Sequence, residues 1–318
     1  MLEALQGALG PVAISAVVWV TDWGGPLGWL IAWQLVFYLL GIRRAVFVGL
    51  VGIAALLLNG WLKWWIAAPR PYFLDPALLL HSPTEGFGMP SGHAQGAAAI
   101  WLAIALVATE RRGTGRGWMV VALLWVLAVA GSRVVLGVHS TGQVLIGALL
   151  GLALVYGGQR MAPTVRRWFA RQPARWMVFW TLLGAAVAAA ISFGIVKLQA
   201  GFVVPLRWRD NFAVHAGEGQ VLQASELLDP APALALICAA VGTVLVALLQ
   251  RRWPQRLDSR VASAVTVVVG LLVSTAFFWL ADRGNLVNSA AVLLLPLLYP
   301  AICGYLPMWL VSKGRSRR

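Results

Sequence analysis

"MPSGHAQGAAAIWLAIALVA", residues 89–108, is the stretch on which the fold turns. After Gly96 it is apolar without a charged side chain until Glu110. A bilayer core about 30 Å thick accepts a helix of roughly 20 such residues. At the mouth of this run stand a few small or polar residues and His93. A histidine there is either a packing residue or a reactive group, and its neighbours elsewhere in the chain decide which.

Similar runs recur along the whole length. Of 318 residues 60% are hydrophobic and 11% charged, whereas soluble domains carry roughly 25% charged residues. Apolar segments fall at 24–41, 44–66, 94–109, 117–137, 141–159, 175–197, 231–249, 261–281 and 286–311. They predict an all-α polytopic membrane protein of about nine transmembrane helices. Pro296, Pro300 and Pro307 predict a kink or break in the last of them. Ahead of the first, residues 1–23 are too short in apolar length to cross and read as an interfacial or re-entrant helix. The opening "MLEALQGALG" lacks a basic start, so no cleavable signal peptide is expected.

Charge supports this layout. With alternate connections on one side, segments 42–44, 110–116, 160–175, 250–260 and the tail "KGRSRR" hold 18 of the 25 basic residues but only Glu110 and Asp258 of the 11 acidic ones. That is the positive-inside pattern, with the N-terminus outside and the C-terminus cytoplasmic. In a bacterium this describes an inner-membrane protein. The net charge of +14 then reflects topology and attraction to anionic headgroups rather than nucleic-acid binding. Cys238 and Cys303 each lie mid-span, so neither a disulfide framework nor a cysteine metal site is expected. Gly147 and Gly151 form a GxxxG whose default use is close helix packing within the chain.

Among the basic residues left outside, Lys63, Arg70 and Arg133 sit at or near the outer ends of spans. A single lysine there would be read as snorkelling to the headgroups. Here His93 and His139 lie in neighbouring segments on the same face, and three permanent cations with two imidazoles at one depth describe a phosphate site. A phosphoryl group in transfer spreads charge over three oxygens, which fixed cations must surround. Arginine offers a planar fork and lysine a point charge. Ser91 and Gly92 precede a helix, whose free N–H groups bind anions. Two histidines can divide the rest: one attacks phosphorus to give a phosphohistidine, the other protonates the leaving alkoxide. The cations supply the electrostatics, so no metal or other cofactor is called for.

These residues resemble the type 2 phosphatidic acid phosphatase (PAP2) superfamily, whose pattern is K-x6-R-P, then P-S-G-H, then S-R-x5-H-x3-D. Lys63 to Arg70–Pro71 fits the first element, Pro90 to His93 the second, and Ser132–Arg133 with His139 the third. The resemblance covers roughly residues 25–160. It implies a PAP2-like catalytic membrane core at 24–160, with 161–318 a C-terminal extension of about four spans. It also implies that His139 is the nucleophile and His93 the general acid, with Lys63, Arg70, Ser91, Gly92 and Arg133 holding the phosphate of a lipid on the outer face.

One position departs from the pattern, because Gln143 stands where the family has aspartate. A glutamine can still accept a hydrogen bond from the far ring nitrogen of His139, but it brings no charge. Uncompensated, the loss is worth about 2–5 kcal/mol. Asp22, Asp75 or Glu85 could stand in for it. Gln143 could also be only a helix N-terminal residue. Hydrolysis of a lipid monoester or pyrophosphate is the expected activity. Phosphoryl transfer between lipids, or a low-turnover lipid-phosphate carrier or scramblase, are the alternatives. Undecaprenyl pyrophosphate, phosphatidic acid, phosphatidylglycerol phosphate and a sphingoid-base phosphate are open substrates. Nine spans with an outer N-terminus also resemble the layout of glucose-6-phosphatase in the same superfamily, so a sugar phosphate stays open. His81 and His215 receive no role from the pattern. Trp61, Trp64 and Trp65, near Lys63, could line a lipid route. Membrane lipids are the expected surroundings, and the oligomeric state is left open.

Overall fold

The computed structural model describes residues 6–80, 83–112, 116–216, 220–254, 265–270, 272 and 289–315. Among these the protein is helical, with no strand, and seven helical stretches are long and apolar enough to cross a membrane. It is an integral membrane protein. The helices used below are α1 (Pro11–Trp23), α2 (Pro26–Leu39), α3 (Ile42–Ile66), α4 (Gly92–Arg112), α5 (Gly117–Val135), α6 (Thr141–Arg171), α7 (Ala174–Leu198), α8 (Leu206–Ala216), α9 (Ala231–Arg252), α10 (Ser289–Tyr299) and α11 (Leu306–Arg315).

The expected span at 24–41 is not one crossing helix. Its helix, α2, has 14 residues, and α1 before it has 13. At 1.5 Å per residue each covers about 20 Å, well short of the bilayer core. Gly24 and Gly25 separate them, and a side chain at Gly24 would run into Val129 of α5. The expected span at 261–281 lies outside the described residues except for 265–270 and 272. The proline-rich last span breaks as expected: Pro300–Tyr305 is a π-helical stretch between α10 and α11. Gln34 and Tyr38 of α2 both donate hydrogen bonds to the Cys303 carbonyl within it. Side chains from a neighbouring helix thus supply what the broken ladder lacks.

The centre of the bundle is α4, which packs on α3, α5 and α6. Ala94, Ala97, Ala98, Ala99 and Ala103 of α4 are completely or almost completely buried. Small residues let helix backbones approach where lipid offers no hydrophobic drive between helices. The GxxxG of α6 answers them. A side chain at Gly147 would stand 2.5 Å from the Ser91 carbonyl, and one at Gly151 would meet the Gln95 carbonyl. That motif packs within the chain, as read from the sequence. Around this centre α9 packs on α3, α7 and α10, while α7 keeps most of its surface free of the rest of the protein and meets lipid. With 31 residues, α6 runs about 46 Å, past its expected end at 159, and carries Arg160, Arg166, Arg167 and Arg171 beyond the bilayer core.

Candidate functional site

One end of the bundle collects the ends of α3, α4, α5 and α6. Lys63 lies in the last turn of α3, which stops at Ala67 in the left-handed conformation, φ 50°. The chain then runs extended through Pro69 to Arg70, the residue before a single helical turn at Pro71–Leu74. Ser91 and Gly92 open α4, and Arg133 sits in the last turn of α5. Gly137 turns the chain at φ 73°, where any side chain would strike the Leu78 carbonyl, and this close turn delivers His139 ahead of α6.

Backbone carbonyls hold the cations. The Arg70 guanidinium donates from Nε to Gly86 O at 2.8 Å, from Nη2 to Glu85 O at 3.0 Å and from Nη1 to Val138 O at 3.2 Å. Lys63 Nζ donates to Phe87 O at 2.7 Å. Arg133 Nη1 donates to Thr21 Oγ1 at 3.0 Å, and Thr21 also shares a 2.8 Å hydrogen bond with Ser132. Arg70 and Arg133 are buried, and among the described residues no carboxylate pairs with either. Buried positive charge without a counter-ion is costly, and an anionic ligand would relieve it. Among the described residues five buried donors lack a partner, and Ser91 Oγ, fully buried, and Arg133 Nε are the two that belong to predicted phosphate-binding residues. Native interiors rarely leave such groups unpaired without a ligand or ordered water to meet them.

His139, 2% exposed, is fixed from both ring nitrogens. Nδ1 lies 2.8 Å from Gly88 O and 3.1 Å from Gln143 Oε1. The glutamine amide is oriented by its other contacts, since Nε2 donates to Pro69 O at 2.8 Å and Oε1 accepts from Ser140 N at 3.2 Å. Both neighbours of Nδ1 are therefore acceptors, so Nδ1 carries the proton and the lone pair is on Nε2. That lone pair lies 3.3 Å from Arg70 Nη1. Gln143 is at once the fourth member of a capping box with Ser140 and the partner of His139. None of Asp22, Asp75 or Glu85 offers its side chain to His139. The Gly88 carbonyl is the second acceptor instead, and no sequence pattern announces a carbonyl.

Burial pushes the His139 imidazole well below its ordinary range, and the charges of Arg70, Lys63 and Arg133 push the same way, against the hydrogen bond that Nδ1 donates to Gln143. Because this base is depressed in the folded chain, it stays neutral down to a pH below the usual imidazole value of about 6.5. Any acid limb that His139 contributes to a pH–rate profile is accordingly expected below that value. An activity profile measured from pH 4 to 8, with a His139-dependent loss centred near 6.5, would contradict this.

His93 stands at the start of α4 beside the Gly24–Gly25 break. A side chain at Gly25 would come 2.9 Å from His93 Nε2, and the Trp29 ring lies 6.0 Å from the imidazole. The charges of Arg133, Arg70 and Lys63 all reach it. Beneath it Asn59 donates to Pro90 O at 3.2 Å and to Gln95 Oε1 at 2.8 Å, and Gln95 donates on to Ala55 O at 2.8 Å, which fixes the turn bearing Ser91 and Gly92. Thus Lys63, Arg70, Ser91, Gly92, His93, Arg133, His139 and Gln143 are brought to one end of the fold. Thr21, Gly25 and Asn59 were missed. The only signal for Thr21 was a Thr–Asp pair inside an apolar segment. His81 lies outside the described residues. Trp61 donates to Ser192 and Trp64 is buried, so of the three tryptophans near Lys63 it is Trp65 that faces outward.

Part of the chain is similar to known proteins. The sequence model of the PAP2 superfamily matches residues 44–167. Glucose-6-phosphatase 3 of Bos taurus is 31% identical over 184 residues, which cover 52% of this chain and 52% of that protein. Phosphatidylglycerophosphatase B of Bacillus subtilis (strain 168) is 39% identical over 104 residues, 31% of this chain and 49% of that one. The chain spans about half the length of these curated relatives. A crystal structure of a transmembrane PAP2-type phosphatidylglycerolphosphate phosphatase from Bacillus subtilis aligns with TM-score 0.44 and 28% identity, covering 52% of this chain and 85% of that one. The residues matched by the PAP2 superfamily model, 44–167, contain every cation and histidine of the site.

Proposed function

We propose that the protein is a membrane phosphatase that hydrolyses a lipid phosphate monoester or pyrophosphate through a phosphohistidine on His139. The observation that carries this reading is the His139 ring, whose Nδ1 is held by two acceptors so that its lone pair is on Nε2, against Arg70 Nη1. Nε2 attacks phosphorus as the bond to the leaving oxygen breaks, and His93 gives that oxygen its proton. Water then attacks the phosphohistidine, His93 takes a proton from it, and Nε2 departs with its lone pair restored. Lys63, Arg70 and Arg133 neutralise the oxygens of the transferring group, and Ser91 with the N–H groups opening α4 completes the cradle. Gln143 keeps the His139 tautomer.

Three fixed cations do the electrostatic work, so the reaction needs no metal. The alternation of basic connections along the sequence supports an outward-facing, periplasmic site in a bacterium. A site at the end of membrane helices receives a lipid headgroup sideways from the bilayer, and the relatives named above are phosphatases of a lipid or a sugar.

The test is phosphate release by purified protein in detergent with EDTA, offered phosphatidic acid, phosphatidylglycerol phosphate, undecaprenyl pyrophosphate, a sphingoid-base phosphate and glucose 6-phosphate. Release that EDTA leaves intact supports the reading and names the substrate class. Release abolished by EDTA, or none from any of the five, overturns it.

A further inference from the structure

Between Lys63 and Arg70 the chain leaves α3, and from there to Leu80 it has little regular structure beyond the turns Pro71–Leu74 and Pro76–Leu78. An arm of this kind leaves many carbonyls without helix partners, and buried ones must find others. They find them in a segment outside the family-matched residues 44–167. Gln199 Nε2 donates to Trp64 O at 2.8 Å, Asn211 Nδ2 to Phe73 O at 2.9 Å and His215 Nε2 to Pro76 O at 2.8 Å. Arg207 donates to Leu74 O. Rings reinforce the contact: Phe73, fully buried, stacks on Trp208 at 5.6 Å and meets Phe212 edge-on at 6.3 Å. Phe202 meets Phe87 at 5.3 Å, and Phe87 is the residue whose carbonyl holds Lys63.

We infer that residues 199–216 form a strap on the backbone that flanks Lys63 and Arg70, at Trp64 and at Phe73–Pro76, with Asn211 its central positioning residue, so that the phosphate affinity of the site depends on a segment outside the matched residues 44–167. This rests on the phosphate-site reading above. The strap touches neither Arg70 nor His139. It acts by holding the backbone at Phe73, three residues beyond Arg70, and at Trp64, next to Lys63. A displacement of about 1 Å at such positions is enough to spoil the fit of fixed cations to an anion. His215, which the sequence pattern left without a role, belongs to this strap.

Asn211→Asp keeps the shape of the side chain and removes the donor to Phe73 O. Arg209→Ala, an exposed position on the same helix α8 that gives the arm no bond, is the control. The readouts are binding of inorganic phosphate to the purified full chain by titration calorimetry, and KM and kcat for the preferred lipid phosphate. Asn211→Asp is expected to weaken phosphate binding and raise KM about tenfold each, with kcat changed by less than about twofold, the size of one lost hydrogen bond. His215→Ala is expected to move both constants the same way, and it serves if Asn211→Asp does not fold. Arg209→Ala should match wild type. A merely structural strap would lower the fraction of active molecules, so kcat would fall while KM and phosphate affinity stayed put, and that result would overturn the inference. Should wild type bind phosphate yet release none, the hydrolase reading fails and the affinity ratio still decides the strap. If wild type binds no phosphate, both fall.

Discussion

His139→Ala is expected to reduce phosphate release by at least about 10⁴-fold, to the level of protein-free controls. The variant removes the Nε2 lone pair that faces Arg70, and with it the atom that would carry the phosphoryl group. His93 cannot take over, because it stands on another helix, against Gly25 and Trp29. The cations are untouched, so the variant should still bind inorganic phosphate. A rapid-quench experiment with radiolabelled substrate should trap acid-labile, alkali-stable label on wild type and none on the variant. Retention of more than about a tenth of wild-type kcat, with no trapped label in either protein, would mean that water attacks phosphorus directly.

The second large effect is expected at Gln143. Gln143→Leu keeps roughly the volume but strips the amide from three partners, and kcat should fall about 10²–10³-fold with little change in KM. The His139 ring then keeps Gly88 O at Nδ1, 2.8 Å away, and Arg70 Nη1 at Nε2, 3.3 Å away, but loses the side chain that shared Nδ1. Pro69 O and Ser140 N also lose their partner, which costs about 1–3 kcal/mol for each group left unpaired and should lower the thermal midpoint in detergent. Gln143→Glu separates the two tasks. It returns an acceptor, now charged, to Nδ1, but turns an oxygen toward the Pro69 carbonyl where an N–H had donated. Its kcat should recover well above that of the leucine variant while its thermal midpoint stays low. Equal kcat in the leucine variant and wild type would show that Gly88 O and Arg70 suffice to orient the ring, leaving the Gln143 side chain to the helix start only.

Gln143 also explains how far the site could be read in advance. Its residue type suggested a missing charge, and the spacing from His139 suggested a contact one helical turn away. The contact is present at 3.1 Å. The Gly88 carbonyl could not have been foreseen, because every residue has one, and only the path of the 83–91 loop decides which carbonyl reaches the ring. Thr21 was hidden for a different reason. It supports Arg133 across 112 positions of sequence, from a helix too short to be recognised as part of the membrane bundle.

By itself the sequence determined the solvent and the helical class and pointed to the eight residues of the candidate site, because composition, apolar run length and the three motif elements are local properties that survive without coordinates. The direct break at Pro300 was equally legible, since a proline removes its own hydrogen bond wherever it lies. Tertiary structure alone decided that residues 11–39 form two short helices about Gly24–Gly25, that Gly147 and Gly151 meet the carbonyls of Ser91 and Gln95, and that residues 199–216 hydrogen-bond to the backbone at Trp64 and at Phe73–Pro76. Each of these depends on which backbone carbonyl comes within about 3 Å of which donor. That distance is set by the packing of helices far apart in the chain, and no single segment of sequence encodes it.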